Sequence, residues 1–194
     1  MSKKIFFASA AKVAFALAAV VMMSLAFAAC GSDNDDDGGG GGTPPLPTPK
    51  AQTVTLDGVE KPIVKAEYEG KGAGNYYIYL NLSADGDEIV EIDLNKKLHM
   101  SGASIDLTRK EEEHTGTEYY WLVRYSKKFS DLRIYTFADP KKNYPVFKTG
   151  TLTATGDPAT GTISIKLENG RVIGSDKKEH TLTLSYSGSI TKQQ

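Results

Sequence analysis

The side chains able to do chemistry are few and scattered. His99, His114 and His180 lie far apart, and neither a His-x-x-x-His pair nor a second cysteine supplies the spacing of a usual zinc site. They are expected as lone surface or strand-end histidines. No Gly-x-Ser-x-Gly elbow occurs, and Gly102-Ala103-Ser104 lacks the flanking pattern that presents a nucleophilic serine. Gly70-Lys71-Gly72-Ala73-Gly74 has the glycine content of a phosphate cradle, but a cradle needs a helix N-terminus behind it. Here Tyr76 opens a strand pattern, so a flexible hairpin loop is expected. Asp85-Gly86-Asp87-Glu88 offers carboxylates without the ligand order of an EF-hand loop, and reads as a turn before an exposed strand. Glu91, Asp93 and Glu118 have the chemistry of a glycosidase acid pair, but sequence spacing says nothing of their separation in space. No enzyme activity, metal or cofactor is expected from these residues.

The aromatic residues carry the stronger signal. Tyr76, Tyr77 and Tyr79 share one strand pattern, and Tyr119, Tyr120, Trp121 and Tyr125 another. Alternation places Tyr77 and Tyr79 on the face opposite Ile78 and Leu80, and Tyr120 opposite Trp121. Some of these rings must therefore lie on the less apolar face, or both faces are partly buried. Exposed Tyr and Trp offer flat apolar surface with a polar edge, which suits sugars, peptides and protein partners. Tyr77, Tyr79, Tyr120 and Trp121 are the expected contacts. The plainer alternative is cross-strand filler, since aromatics favour strands in any case.

The remaining reactive group is Cys30, the one cysteine of 194 residues, so no intramolecular disulfide can form. Lys3, Lys4 and Lys12 precede an apolar run from Val13 to Phe27, which is short of the roughly 20 residues that a membrane span requires. Small residues Ala28 and Ala29 follow, as a signal peptidase needs. An uncleaved anchor from Ile5 to Ala29 would instead place Lys12 within apolar surroundings, a costly position. Phe27-Ala28-Ala29-Cys30 resembles the lipobox of bacterial lipoproteins, with Phe27 where Leu is usual. Gly31-Ser32-Asp33-Asn34-Asp35-Asp36-Asp37 resembles the acidic surface-export signal of Bacteroidetes lipoproteins. These resemblances cover residues 1–42. They imply lipidation of Cys30 with acyl chains such as palmitate, and an outer-membrane protein facing the cell surface. Two or more acyl chains give a durable anchor where a single one gives marginal binding.

Residues 30–50 follow as a lipidated cysteine and tether. Gly38 to Gly42 form a flexible hinge, while Pro44, Pro45, Pro47 and Pro49 stiffen the next stretch. Cleavage after residue 29 removes three of the 23 basic residues and none of the 24 acidic ones. Several of those acids lie in the tether, so the domain from Ala51 is close to neutral. That balance argues against a nucleic-acid footprint, which needs a basic excess on one face.

Residues 51–194 are long enough for one domain with a core of its own. Period-two alternation dominates: Val90, Ile92 and Leu94 against Glu91 and Asp93, and Ile163, Ile165 and Leu167 against Ser164 and Lys166. Asp57-Gly58, Asp85-Gly86 and Asn169-Gly170 mark turns, and Gly156-Asp157-Pro158 separates two further strands. About nine or ten short strands are expected, with at most one short helix starting at Thr108, where Glu111 has capping-box spacing, and ending near Gly116. The pattern predicts an all-β domain, an antiparallel barrel or sandwich. The functional expectation is a non-catalytic, membrane-anchored module that binds a glycan, a small ligand or another envelope protein. The alternatives are a structural accessory subunit of an outer-membrane assembly and a calycin-like barrel carrying a small hydrophobic ligand.

Overall fold

The computed structural model describes residues 44–194. The signal peptide, Cys30 and the tether as far as residue 43 lie outside the described residues.

Two six-stranded sheets make up the domain. The first has the order β2 (Val59–Pro62), β1 (Thr53–Leu56), β11 (Glu179–Ser189), β10 (Thr162–Ile173), β9 (Thr149–Asp157), β6 (Ile105–Asp106). The second runs β12 (Thr191–Lys192), β3 (Lys65–Gly70), β4 (Asn75–Asn81), β5 (Glu88–Asn95), β7 (Leu122–Lys127), β8 (Arg133–Phe137). Neighbours are antiparallel except β12 and β3, which run parallel. The sheets form a sandwich and do not close into a barrel, which decides between the two architectures the alternation allowed.

The period-two pattern becomes one shared core. Ile78 and Leu80 of β4, Val90, Ile92 and Leu94 of β5, and Val123 of β7 are fully buried in the same cluster as Leu152, Leu167, Leu182 and Leu184 of the first sheet. Inner faces that alternate this strictly can be buried only against each other. Trp121 belongs to this core, with no exposed surface, and is not available for surface contact as its aromatic character suggested. Parity explains the outcome: Trp121 shares the inward phase of Val123 and Tyr125, and Tyr120 takes the other.

Asp57-Gly58 makes the tight turn of the β1–β2 hairpin, with φ of 50° and 79°. Asn169-Gly170, expected to end a strand, instead lies within one twelve-residue strand. Asn169 takes φ 58°, and the register shifts between Leu167 and Gly170. The pair is a bulge, the other structure that tolerates positive φ in a strand. The shifted backbone brings the position of a Gly170 Cβ to 2.3 Å from the Leu182 carbonyl oxygen, so glycine is required there.

The expected helix at Thr108–Gly116 is absent. Asp106 accepts from the Thr108 N–H at 2.9 Å and from its hydroxyl at 2.7 Å, so Thr108 closes a local turn and caps nothing. A four-residue helix α1 (Lys96–His99) stands elsewhere, capped by the Asn95 side chain on the N–H groups of Lys97 and Leu98. Residues 44–50, read as tether, touch the domain: Leu46 N–H donates to Asn169 at 2.6 Å, and Pro49 is buried.

Trp121→Ala is expected to destabilise the domain by about 3–5 kcal/mol, the usual cost of emptying a large buried aromatic site. Urea denaturation checks it, and a change below about 1 kcal/mol would return Trp121 to the surface.

Candidate functional site

The outer face of the second sheet departs from the solvated pattern of a sandwich. Tyr77 and Tyr79 of β4, Glu91 and Asp93 of β5, Leu122 and Arg124 of β7, and Tyr135 and Phe137 of β8 stand on it, in register across four strands. Glu91, Asp93 and Leu122 are buried even though they point away from the core. Glu91 is held by Arg124, whereas Asp93 and Leu122 meet the segment between β6 and β7, which carries Tyr119 and Tyr120. Those two rings precede β7 and do not lie on a strand as the alternation suggested.

Buried polar contacts fix this segment. Asn75, at the start of β4, accepts the Tyr119 N–H at 2.8 Å and donates to the Thr117 carbonyl at 2.8 Å. Asn95 donates to the same Asn75 oxygen at 2.7 Å. Tyr119 is thereby laid against Tyr77, the ring centroids 5.6 Å apart and the planes 29° from parallel. Hydrogen bonding to Tyr119, followed by burial, pushes the Tyr77 hydroxyl well above the ordinary tyrosine pKa. Tyr79 packs edge-on against Tyr77, and burial raises its hydroxyl to about 12.

A cleft of about 420 Å³ opens where these elements meet, lined by Tyr77, Tyr119, Tyr120, Tyr135 and Phe137 with Asp93 among them. Two of the expected contact residues, Tyr77 and Tyr120, are brought together here. Tyr79 supports Tyr77 but lines a neighbouring depression with Glu67 and Asn81. Tyr135 and Phe137 escaped the sequence reading because alternating aromatics on a strand look the same whether they face in or out.

Asp93 is the unusual group. Its Oδ1 is buried and has no hydrogen-bond partner among the described residues. Burial and then the neighbouring Glu91 carboxylate raise its pKa well above the usual range, against the opposing pull of Arg124. Arg124 is itself hydrogen-bonded to Glu91.

The histidines, remote in sequence, are not solitary. Glu111 accepts from the Trp121 N–H at 2.8 Å and contacts His99 Nε2 at 3.1 Å and His114 Nε2 at 3.3 Å. Burial raises the pKa of Glu111, but the bonds from His99 and the Trp121 N–H outweigh it and leave the carboxyl below its ordinary value. His114 stacks on Tyr120 with centroids 3.8 Å apart, and its backbone N–H donates to the Tyr120 hydroxyl at 3.3 Å. His99, Glu111 and His114 border a depression of about 560 Å³, larger than the tyrosine cleft of about 420 Å³. Glu111 spends its acceptors on holding the segment, so its role there is structural. His180 sits between Asp57 at 2.7 Å and Asp176 at 3.0 Å; burial opposes its charge, and the two carboxylates prevail and raise its pKa.

Asp85 accepts from the Ser83 hydroxyl at 2.6 Å and the Asp87 N–H at 3.1 Å, closing the β4–β5 turn. Gly72, Ala73 and Gly74 all take positive φ in the β3–β4 hairpin loop. Comparison with protein-family models, with curated proteins and with solved structures returned no match to this chain.

Glu111→Ala is expected to cost roughly 1–3 kcal/mol, because it leaves the buried Trp121 N–H without its acceptor. The depressed pKa of Glu111 fixes the sign of the pH dependence: its contribution is present above the ordinary glutamate value and fades as pH falls through the lower folded value. Urea titrations at several pH values should show the variant and the parent converging in acid. A gap that widens in acid would contradict this assignment.

Proposed function

We propose that the protein is a non-catalytic binding lipoprotein, held in the outer membrane through acylated Cys30 and presenting its β-sandwich at the cell surface. The tyrosine cleft carries the binding half of this reading. An outward sheet face ordinarily shows solvated polar side chains. Here it gathers five rings around an acid with one buried oxygen unpartnered among the described residues, an arrangement costly for folding and useful for recognition. The rings supply apolar area that loses little conformational freedom on binding, and the phenol edges supply polar contacts.

The anchoring half rests on the targeting sequence. A charged start, a short apolar run and small residues before a lone cysteine match the requirements of lipoprotein processing. The acidic stretch after Cys30 supports export to the surface. The Gly-rich and Pro-rich tether lets a bound domain stand off the membrane.

Two outcomes follow. Tyr77→Ala combined with Tyr120→Ala should weaken binding of the full-length protein to an array of oligosaccharides and amine-bearing peptides by at least about tenfold, a loss of about 1.4 kcal/mol. The melting temperature should shift by only a few degrees; a large fall would assign the rings to packing. Cys30→Ser should abolish incorporation of labelled palmitate and release the protein from the membrane fraction. Persistent membrane association of that variant would point to an uncleaved anchor.

A further inference from the structure

We propose that the tyrosine cleft above Asp93 is a receptor for an alkylammonium group, carried by a small amine or by a lysine side chain of a partner protein. This rests on the reading of the cleft as a binding site and names the chemistry it accepts.

The first argument is the charge of the lining. Asp93, Glu118 and Asp139 border the cleft, and none of the lining residues is basic. The basic groups nearby are committed elsewhere. Arg124, on the same sheet face, is bonded to Glu91. Lys71 lies 4.5 Å over the Tyr77 ring and pairs with Glu69. Lys97 pairs with Glu118 at 3.9 Å, so an entering cation finds the Asp93 and Asp139 carboxylates, which have no salt-bridge partner among the described residues.

The second argument is the deficit at Asp93. A carboxylate has acceptor capacity on both oxygens, and Oδ1 has no partner among the described residues. An ammonium group brings three donors and the missing countercharge, whereas a neutral hydroxyl brings one donor and no charge. The third is the wall of the cleft. Aromatic faces carry negative quadrupole density and attract a desolvated cation.

Proton balance follows from the same geometry. Asp93 is faced by Glu91 on its own strand, by Tyr77 on β4, by Arg124 on β7 and by Tyr135 on β8, with Tyr119 and Lys71 at the flanks. Burial and Glu91 favour the protonated acid in the empty cleft. An entering ammonium favours the carboxylate, so one cation enters, a proton leaves to solvent, and no covalent bond changes. A raised folded pKa also sets the stability linkage. The contribution is full below the ordinary aspartate value and is lost as pH rises toward the folded value.

The test is calorimetric titration of the purified full-length protein with n-butylammonium chloride near neutral pH, repeated in two buffers of different ionisation heat. Saturable binding with net proton release is expected, and n-butanol should bind at least about tenfold more weakly. Asp93→Asn should lose at least about tenfold in affinity for butylammonium and release no proton. It should also lose the decline in stability with rising pH, since an amide preserves the shape but does not titrate. Should that variant fold poorly, the carbon-13 carboxyl resonance of Asp93 in the parent protein, moving toward the carboxylate position on titration, supplies the same information. Equal affinity for butanol, absence of proton release, or undiminished binding by Asp93→Asn would overturn the proposal. If neutral oligosaccharides bind through Tyr77 and Tyr120 while butylammonium does not, the ammonium assignment falls and the binding module stands. If no probe binds, both fall. An acetylated Ala-Lys-Ala amide separates the two sources: binding at least about tenfold tighter than butylammonium identifies a protein lysine, and equal binding identifies a free amine.

Discussion

The arrangement of the outer sheet face depends on how a strandless segment is held without a hydrogen-bonded ladder. Between β6 and β7 the chain crosses from one sheet to the other, and its backbone groups need partners once they pack against protein. Asn75 and Glu111 supply several of them, and Asn95 holds the Asn75 side chain in place. Asn75 is almost wholly buried and serves Thr117, Tyr119 and Asn95 at once, while Glu111 takes the Trp121 N–H at the point where the chain turns into β7. Such a network is worth having only when complete, because an unpaired buried polar group in low dielectric costs more than the bond itself contributes. Its completeness at Asn75 is what turns fifteen or so irregular residues into a fixed wall. Tyr119 is positioned by the Asn75 amide, while Tyr120 packs against the core and stacks on His114.

That wall has an electrostatic consequence. It meets Asp93 on the outer face of β5, where Asp93 and Glu91 are both buried and only Glu91 receives a guanidinium. A fold selected for stability alone would place an amide or an apolar residue at position 93. Burial and Glu91 raise the Asp93 pKa, so its contribution to stability falls as pH rises toward the folded value. Contrast Glu88, also buried, which receives Lys61 and the Tyr125 hydroxyl and whose pKa falls despite the burial that opposes it. The same sheet thus satisfies one buried acid fully and leaves another open.

Legibility in the sequence followed the range of the forces involved. Alternation is local, so the inward sets of β4, β5, β10 and β11 were readable, and the all-β class with them. The choice between Tyr120 and Trp121 was half readable: their opposition was evident, but which of them faced inward depended on the phase of Val123 and Tyr125. Asn169-Gly170 signalled positive φ correctly, yet positive φ serves a hairpin and a bulge alike, and pairing with β11 on one side and β9 on the other selected the bulge. Thr108 and Glu111 had capping-box spacing, but Asp106 captured the threonine and the Trp121 N–H captured the glutamate. The meeting of His99 and His114 on Glu111 could not be read at all, since it joins α1 to a segment that has no regular structure of its own.

Affinity at such a cleft is bounded by its parts. Each ring contributes about 0.5–2 kcal/mol to a cation, and the carboxylate gains its full value only after losing a proton, so a single engagement is of modest strength. A protein that works by single encounters would need more. One that is lipid-anchored through Cys30, as proposed, is displayed in many copies on one surface, and several weak sites engaging a polyvalent partner multiply their affinities through effective concentration. Residues 38–42 are all glycine, a composition that suits that mode. On the proposed reading, a modest cleft and a lipid anchor are consistent requirements of one design: strength comes from number, and the proton exchanged at Asp93 keeps each contact easy to break.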